Sequence, residues 1–300
     1  FYPTADLVTG PDIIFFWVAR MIMAGYRFAD ELPFKNVFFT SIVRDEKGRK
    51  MSKQLGNSPD PLDLMDKFGA DGLRFGLMRI APTGTDIKFD EDTISEGRNF
   101  ANKLYNACRF RQMQGADVMK LESFDKLDSH HIDILAKLDK LDVNLDAAYE
   151  NYRFNDVTGQ LYEFFWTEYC DKFLEAIKFD FRSDDETAKA RTLVVIDTVL
   201  ARFLAHLHPL MPHITEELTA KMGYLPAGQF VMSSTIDKTP VLAGLSAEKV
   251  VEGQQIAASL YETAGRLRNL KSEYNLASSK DVKFVVKPIA DWVGGECETL

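Results

Sequence analysis

The sequence has 300 residues, of which 46% are hydrophobic, and its formal net charge is −9. This length and composition predict a large buried core and about two domains. No apolar run reaches the roughly 18–20 residues of a membrane span, so we expect no membrane segment. Cys108, Cys170 and Cys297 are scattered and odd in number, which indicates a reducing cytoplasm and argues against a disulfide framework or a zinc site. The acidic net charge does not exclude a local basic surface that binds nucleic acid.

The chain begins with a pattern of strand, helix and strand. Residues 7–9 predict a strand, and Gly10, Pro11 and Asp12 form a turn with the signals of a helix start. The helix over residues 13–23 is apolar on every side, which predicts that it is buried. Residues 36–43 are rich in Val and Phe and predict a second strand. This order predicts a βαβ unit of a parallel sheet, with ligand groups at the carboxyl ends of the strands.

A loop with two lysines follows the second strand. Lys50 and Lys53 lie three residues apart, with Met51 and Ser52 between them, in a stretch punctuated by Gly, Ser and Pro. Such a loop can bring two ammonium groups to a polyphosphate, where they neutralise charge that develops as a phosphate is displaced. The alternative interpretation from these residues alone is a solvated surface turn.

The remainder of the chain is mostly helical by its pattern. Short helices are predicted at about residues 60–69 and 71–80, and helix follows helix from about residue 91 to residue 218, which predicts a bundle. Residues 223–245 are rich in Gly, Ser and Pro and predict a linker or a long surface loop. A helix over residues 247–271 and a strand over residues 282–287 predict the start of a small α/β element.

Two further groups of residues are candidates for binding. Gly10 allows a nucleotide sugar to approach the backbone, and Asp12 can accept hydrogen bonds from ribose hydroxyls or an amino group. The alternative interpretation is that Gly10, Pro11 and Asp12 only cap a helix and that Trp17 is a core residue. The predicted helix from residue 98 has one apolar face and one polar face, and the polar face carries donors for phosphates and unstacked bases. The alternative interpretation of the polar face is an ordinary solvated helix surface. The donors are Arg98, Asn102, Lys103, Asn106 and Arg109.

The five histidines do not predict a metal site. His206, His208 and His213 lack flanking cysteines or carboxylates with zinc spacing, and the pair His130 and His131 lies near a helix start. All five are interpreted as structural residues of helix ends.

Several segments resemble one enzyme family. Residues 50–57, with Asp60 and Pro61, resemble the K-M-S-K-S loop of class I aminoacyl-tRNA synthetases, with Gln54 where the family usually has Ser. Residues 7–23 resemble a segment of the valyl-tRNA synthetases almost letter for letter, and the apolar residues 13–16 favour valyl over isoleucyl or leucyl relatives. Residues 68–74, 98–110, 162–166 and 208–218 resemble later parts of the same family.

The resemblance implies a role for each matched residue. Lys53 would contact the phosphates of ATP and stabilise the adenylation transition state, and Lys50 would support the loop. Gly10 and Asp12 would lie beside the adenosine and the aminoacyl group. Trp17 would form a wall of the amino-acid pocket. Met51 and Ser52 would belong to the ATP site as parts of the loop.

The resemblance also implies a fold, a reaction and partners. We expect part of a Rossmann-like α/β catalytic domain over residues 1–90, an all-α anticodon-binding bundle over residues 91–225, and a linker with the start of a small α/β subdomain over residues 226–300. We expect the chain to be a piece of a larger cytoplasmic enzyme, lacking the first catalytic half and the editing domain, and inactive in isolation. The substrates would be valine, ATP with Mg²⁺, and tRNA(Val), with no protein-bound metal and no membrane partner. The alternatives are an isoleucyl or leucyl relative and a free-standing RNA-binding helical module.

Overall fold

The computed structural model describes residues 2–81, 84–115, 127–182 and 184–276, together with Val282 and Phe284. The chain forms two compact units. The first consists of the chain up to Leu104 with Asn144–Gln160 and Pro209–Ile214, and the second consists of Tyr105–Val143, Leu161–His208 and the chain from Thr215 onward. The domain boundaries at residues 90 and 225 stay a sequence-based prediction.

The first unit begins with two parallel strands joined by a helix. Strand β1 (Thr4–Thr9) lies beside β2 (Phe34–Phe39), with Asp6 opposite Asn36, and helix α1 (Ala19–Phe28) connects them. A 3-10 turn (Pro11–Ile13) and a π-helical turn (Ile14–Val18) lead from β1 into α1. The strand predicted over residues 36–43 is β2, which starts earlier, at Phe34, and ends earlier, at Phe39. Val43–Arg44 forms a separate short strand, β3, which pairs in parallel with β4 (Ile87–Lys88).

The helical segment after β1 is exposed, although its sequence predicts burial. Phe15 and Phe28 are each 83% exposed and Met23 is 70% exposed. Within residues 13–28 only Val18 and Gly25 are buried. The prediction was wrong because a helix that is apolar on every side is buried only where other layers cover all of its faces. Among the described residues, nothing covers its outward faces.

Three helices complete the main part of the first unit: α2 (Pro61–Phe68), α3 (Ala70–Arg79) and the first half of α4 (Glu91–Met113). The Asp60 carboxylate caps α2 by accepting a hydrogen bond from Leu62 N at 2.8 Å, as the Asp-Pro start predicts. Helices α3 and α4 cross at two glycines. A Cβ atom on Gly97 would lie 2.3 Å from the carbonyl oxygen of Gly72, so this crossing requires a residue without a side chain.

Further helices follow in the described part of the chain after α4, as the sequence predicts: α5 (Ser129–Glu150), α6 (Phe154–Glu163), α7 (Leu174–Ala176), α8 (Lys178–Arg182), α9 (Glu186–Leu207), α10 (Pro212–Met222) and α11 (Ala247–Glu273). A π-helical stretch, Phe164–Phe173, joins α6 to α7. In the core of the second unit, Phe165 and Phe203 stack with their ring centroids 4.7 Å apart. Leu138, Phe173 and Leu200 are fully buried.

The predicted linker over residues 223–245 is an irregular segment with one 3-10 turn, Val231–Ser233. It is tied to the second unit through its backbone. Arg202 Nη2 donates to Thr239 O at 2.9 Å, and the Asp139 carboxylate accepts from Val241 N at 2.8 Å. The strand predicted over residues 282–287 lies outside the described residues, apart from Val282 and Phe284. No helix in the described ranges has both the length and the apolar character needed to cross a membrane.

Candidate functional site

The loop with the two lysines is held in shape by an asparagine and an aspartate. Asn57 Oδ1 accepts from Ser52 N at 2.9 Å, and Asn57 Nδ2 donates to Asp45 Oδ2 at 2.9 Å. Asp45 also accepts from Arg49 N at 2.7 Å and pairs with the Arg49 guanidinium. The hydrogen bond from Asn57, with further contributions from Arg49, lowers the pKa of Asp45 to about 2. Asp45 therefore remains an anionic anchor for the loop at all ordinary pH values.

This anchoring leaves both lysine side chains exposed. Lys50 Nζ lies 3.5 Å from Asp12 Oδ2, and the two side chains are 71% and 48% exposed. Lys53 begins a 3-10 turn, Lys53–Leu55, and forms no ion pair with any residue that the structure describes. The Ser52 hydroxyl caps this turn by accepting from Gln54 N at 3.2 Å. Met51 is half-buried. The two ammonium groups can therefore reach an anionic ligand.

The turn after β1 supplies the other part of the candidate site. A Cβ atom on Gly10 would lie 2.8 Å from Asp12 Oδ1, so a side chain at residue 10 would displace the Asp12 carboxylate. Trp17 Nε1 donates to Thr9 Oγ1 at 2.7 Å, which fixes the indole beside the end of β1. Trp17 is 36% exposed. The structure thus brings Gly10, Asp12 and Lys50 together at the carboxyl end of a parallel strand, where ligands commonly bind in α/β folds.

The polar residues predicted for RNA binding lie on α4. Asn106 and Arg109 are exposed in the second unit. In the first unit Asn102 and Arg98 are exposed and Lys103 is half-buried. Arg98 has a structural partner, because its Nη1 donates to Lys67 O at 2.8 Å near the end of α2. The role of these residues in binding RNA stays a prediction.

Two groups of residues meet in the structure that the sequence interpretation did not bring together. Asn57 and Asp45 position the lysine loop, and the signal for them was the Asn that follows Leu-Gly after the second lysine. The second group is Asp128, His130 and His131, which bring three potential ligand atoms within 4.8 Å of one another in the second unit. The sequence interpretation places the histidine pair near a helix start, and α5 begins at Ser129.

Two family models match the chain. The model of class I tRNA synthetases (I, L, M and V) covers residues 1–90 and therefore the lysine loop and the Gly10–Asp12 turn. The model of the anticodon-binding domain of tRNA ligase covers residues 132–286, which is just over half of the 300 residues.

Curated relatives are similar along almost the whole chain. A valine–tRNA ligase of Bacteroides thetaiotaomicron is 40% identical over 97% of this chain, and one of Parabacteroides distasonis is 41% identical over 95%. A valine–tRNA ligase of Chlorobaculum tepidum is 45% identical over 96%. The matches cover only 32%, 32% and 33% of those proteins, so the chain spans about a third of their length.

Solved structures share the fold at lower sequence identity. A leucyl-tRNA synthetase of Agrobacterium radiobacter K84, in a ternary complex with tRNA, matches 83% of this chain and 29% of its own, with a TM-score of 0.60 and 20% identity. A methionyl-tRNA synthetase of Mycobacterium tuberculosis matches 77% of this chain and 50% of its own, with a TM-score of 0.58 and 21% identity. These matches confirm a partial Rossmann-like segment followed by a helical bundle. The chain belongs to the class I tRNA ligases that carry this anticodon-binding domain.

Proposed function

We propose that the chain is the part of a valine–tRNA ligase that carries the phosphate-binding lysine loop and the anticodon-binding bundle. In the cytoplasm, the whole enzyme would join valine to the adenylate group of ATP with release of pyrophosphate, and then transfer the valyl group to tRNA(Val) with release of AMP. The observation that carries this proposal is the contact of 3.5 Å between Lys50 Nζ and Asp12 Oδ2. Lys50 belongs to the predicted phosphate-binding loop, and Asp12 belongs to the turn predicted to lie beside the adenosine and the aminoacyl group. Identity of about 40% to valine–tRNA ligases along the chain supports valine over leucine or isoleucine.

The lysine loop supplies positive charge to the leaving pyrophosphate. An exposed ion pair such as that of Lys50 with Asp12 is worth little in water, so Lys50 can exchange the carboxylate for a phosphate at small cost. Lys53 would stabilise the charge that develops on the phosphates as the carboxylate of valine attacks the α-phosphorus. Mg²⁺ would enter with ATP as part of the substrate, and we assign no protein ligand to it.

The turn after β1 would bind the other parts of the substrates. Asp12 would accept hydrogen bonds from the ribose or from the amino group of valine, since an ionised carboxylate is purely an acceptor. Trp17, fixed by its hydrogen bond to Thr9, would form one wall of an apolar slot for the valine side chain. The exposed polar residues of α4 would bind tRNA, with Asn102, Asn106 and Arg109 the best placed because Arg98 is engaged with the end of α2.

Amino-acid-dependent pyrophosphate exchange tests this function. The assay uses a protein with the full length of the relatives that contains this chain, with valine, isoleucine and leucine compared at equal concentration. We expect exchange that depends on valine, and none from the 300-residue chain alone. Preference for isoleucine or leucine would contradict the valine assignment. Absence of exchange with every amino acid, together with retained RNA binding, would favour the free-standing RNA-binding module.

A further inference from the structure

The start of α5, with Asp128 directly before it, contains a compact group of side chains of the types that bind metals, outside the proposed ATP site. One ligand atom each from Asp128, His130 and His131 lies within 4.8 Å of the others. His131 Nδ1 and Asp128 Oδ2 are 3.4 Å apart. Two ligands held about 2.1 Å from a tetrahedral zinc ion are separated by about 3.4 Å, so this pair already has the required spacing.

His130 is the second, independent observation at this place. Its side chain is 4% exposed, and both ring nitrogens are buried without a hydrogen-bond partner among the described residues. Buried polar atoms are rarely left unpaired in folded proteins, because they lose their bonds to water and gain none in return. A metal ion bound through one nitrogen would supply that partner. Asp180 Oδ2, 3.5 Å from Nε2, is near enough to accept a hydrogen bond after a small movement.

Both ring nitrogens of His131 form hydrogen bonds, and these bonds orient the ring. Nδ1 accepts from Asp128 N at 3.2 Å, and Nε2 lies 2.9 Å from Thr192 Oγ1. The Thr192 hydroxyl in turn donates to Asp180 Oδ2 at 2.6 Å. This chain places the proton on Nε2 and the lone pair on Nδ1, where a metal ion would take the place of the Asp128 N–H as its partner. Histidine ligands of metals are commonly oriented by such a second hydrogen bond that ends on a carboxylate.

We propose that Asp128, His130 and His131 bind one divalent transition-metal ion of the zinc and cobalt class. Two imidazoles and one carboxylate suit these ions rather than Mg²⁺ or Ca²⁺, which prefer oxygen ligands. His130 is also part of the wall of a groove of about 380 Å³, which is a route for the ion from solvent. Asp128 Oδ2 lies 3.0 Å from Arg191 Nη2. When the ion binds, Oδ2 either loses this contact or contacts the ion and the guanidinium together.

Metal titration of the 300-residue chain tests the site. After treatment with a chelator, Co²⁺ is added and the visible d–d absorption is recorded, and Zn²⁺ binding is measured by calorimetry. We expect one ion per chain, intense cobalt bands typical of a tetrahedral site, and no displacement by Mg²⁺. Thermal unfolding should shift upward with Zn²⁺, because an ion that binds only the folded state stabilises it.

Two variants and one control locate the binding. Asp128→Asn changes a half-exposed side chain without changing its shape, so it should fold, and His130→Gln removes the imidazole. Each should weaken Zn²⁺ binding at least tenfold and abolish the thermal shift, while His213→Gln, at an exposed histidine, should leave both unchanged. The site is disproved if the wild-type chain binds no Co²⁺ or Zn²⁺, or if folded Asp128→Asn binds as tightly as the wild type.

Discussion

Arg111 and Asp197 form a two-pronged ion pair inside the second unit. Nε lies 2.8 Å from Oδ1 and Nη2 lies 2.7 Å from Oδ2, and the side chains are only 3% and 2% exposed. The Tyr224 hydroxyl also donates to Asp197, and Arg111 Nη1 donates to Gly115 O. Removing two charges from water is costly, and the fork geometry with these added hydrogen bonds is what offsets the cost.

Breaking this pair should destabilise the bundle strongly. We expect Asp197→Ala to lower the free energy of unfolding by about 3–5 kcal/mol, because it leaves a buried guanidinium without its counter-charge. Urea unfolding of the wild type and the variant measures the difference. Glu217→Ala, which removes the exposed partner of Lys221, is the control and should cost less than about 1 kcal/mol. Equal effects of the two substitutions would contradict the structural importance of the buried pair.

Two glycines should respond to alanine with opposite signs. Gly97→Ala places a methyl group against the Gly72 carbonyl at the α3–α4 crossing and should destabilise the first unit by about 1–3 kcal/mol. Gly159→Ala in α6 should stabilise by about 0.5–1 kcal/mol through helix propensity, because among the described residues no atom beyond the adjacent helix backbone lies within 4 Å of the new methyl group. The midpoints of thermal unfolding compare the two. A neutral Gly97→Ala would mean that α3 and α4 do not cross at this distance.

Loss of one loop lysine should slow adenylation. In the enzyme of full length, we expect Lys53→Ala to lower the rate of valyl-adenylate formation by about 10²–10³, the scale for losing one preorganised charge donor, with a smaller effect on the binding of valine. Single-turnover kinetics separate the two effects. Lys47→Ala, at an exposed lysine of the turn before the loop, is the matched control and should leave the rate unchanged. An unchanged rate for Lys53→Ala would make the loop a surface turn.

The anchor of the lysine loop should resist acid until very low pH. The pKa of Asp45 is lowered from 3.8 to about 2, so the stability that its carboxylate contributes is complete above about pH 4 and is lost as the pH falls through about 2. In Asn57→Ala the largest cause of this shift is removed, so the pKa should rise toward 3.8 and the carboxylate should contribute less stability, which is lost over a narrower pH range. Carboxyl NMR titration of Asp45 measures this change.

Gln54→Ala is the control for that titration, because it changes a side chain of the same loop that forms no described contact with Asp45. Its Asp45 pKa should equal that of the wild type. An ordinary Asp45 pKa in the wild type would show that the Asn57 hydrogen bond is not formed in solution.

Reversal of one charge on α4 should weaken binding of RNA. We expect the 300-residue chain to bind a tRNA(Val) transcript weakly at low salt and to lose this binding steeply as salt rises, since a few local cations release counterions from phosphate. Arg109→Glu should lower the affinity, measured by fluorescence anisotropy. Arg109 is the better test than Arg98, whose guanidinium also holds the end of α2.

Arg266→Glu is the matched control, because Arg266 is an exposed arginine on α11, paired with Glu262 within its own helix. Its affinity for the transcript should change little. If the two reversals have the same effect, the attraction is a property of overall charge and α4 contains no RNA site.

Much of the local structure could be predicted from the sequence. Asp60 and Pro61 mark the start of α2, and the apolar spacing of residues such as Leu138 and Leu145 marks the buried face of α5. These signals act over a few residues, through backbone geometry and helical periodicity, so they do not depend on the remainder of the fold. The lysine loop was identified in the same way, from contiguous residues.

The sequence by itself determined the family, the order of strands and helices, and the residue types available for chemistry. Only the tertiary structure decided which of them meet. Lys50 lies beside Asp12, Arg111 pairs with Asp197, and the histidines of α5 reach Asp180, over separations in sequence that no local pattern records. The burial that the sequence predicts for the helix after β1 was wrong, because burial depends on which layer covers a face, and that is a property of the packed chain.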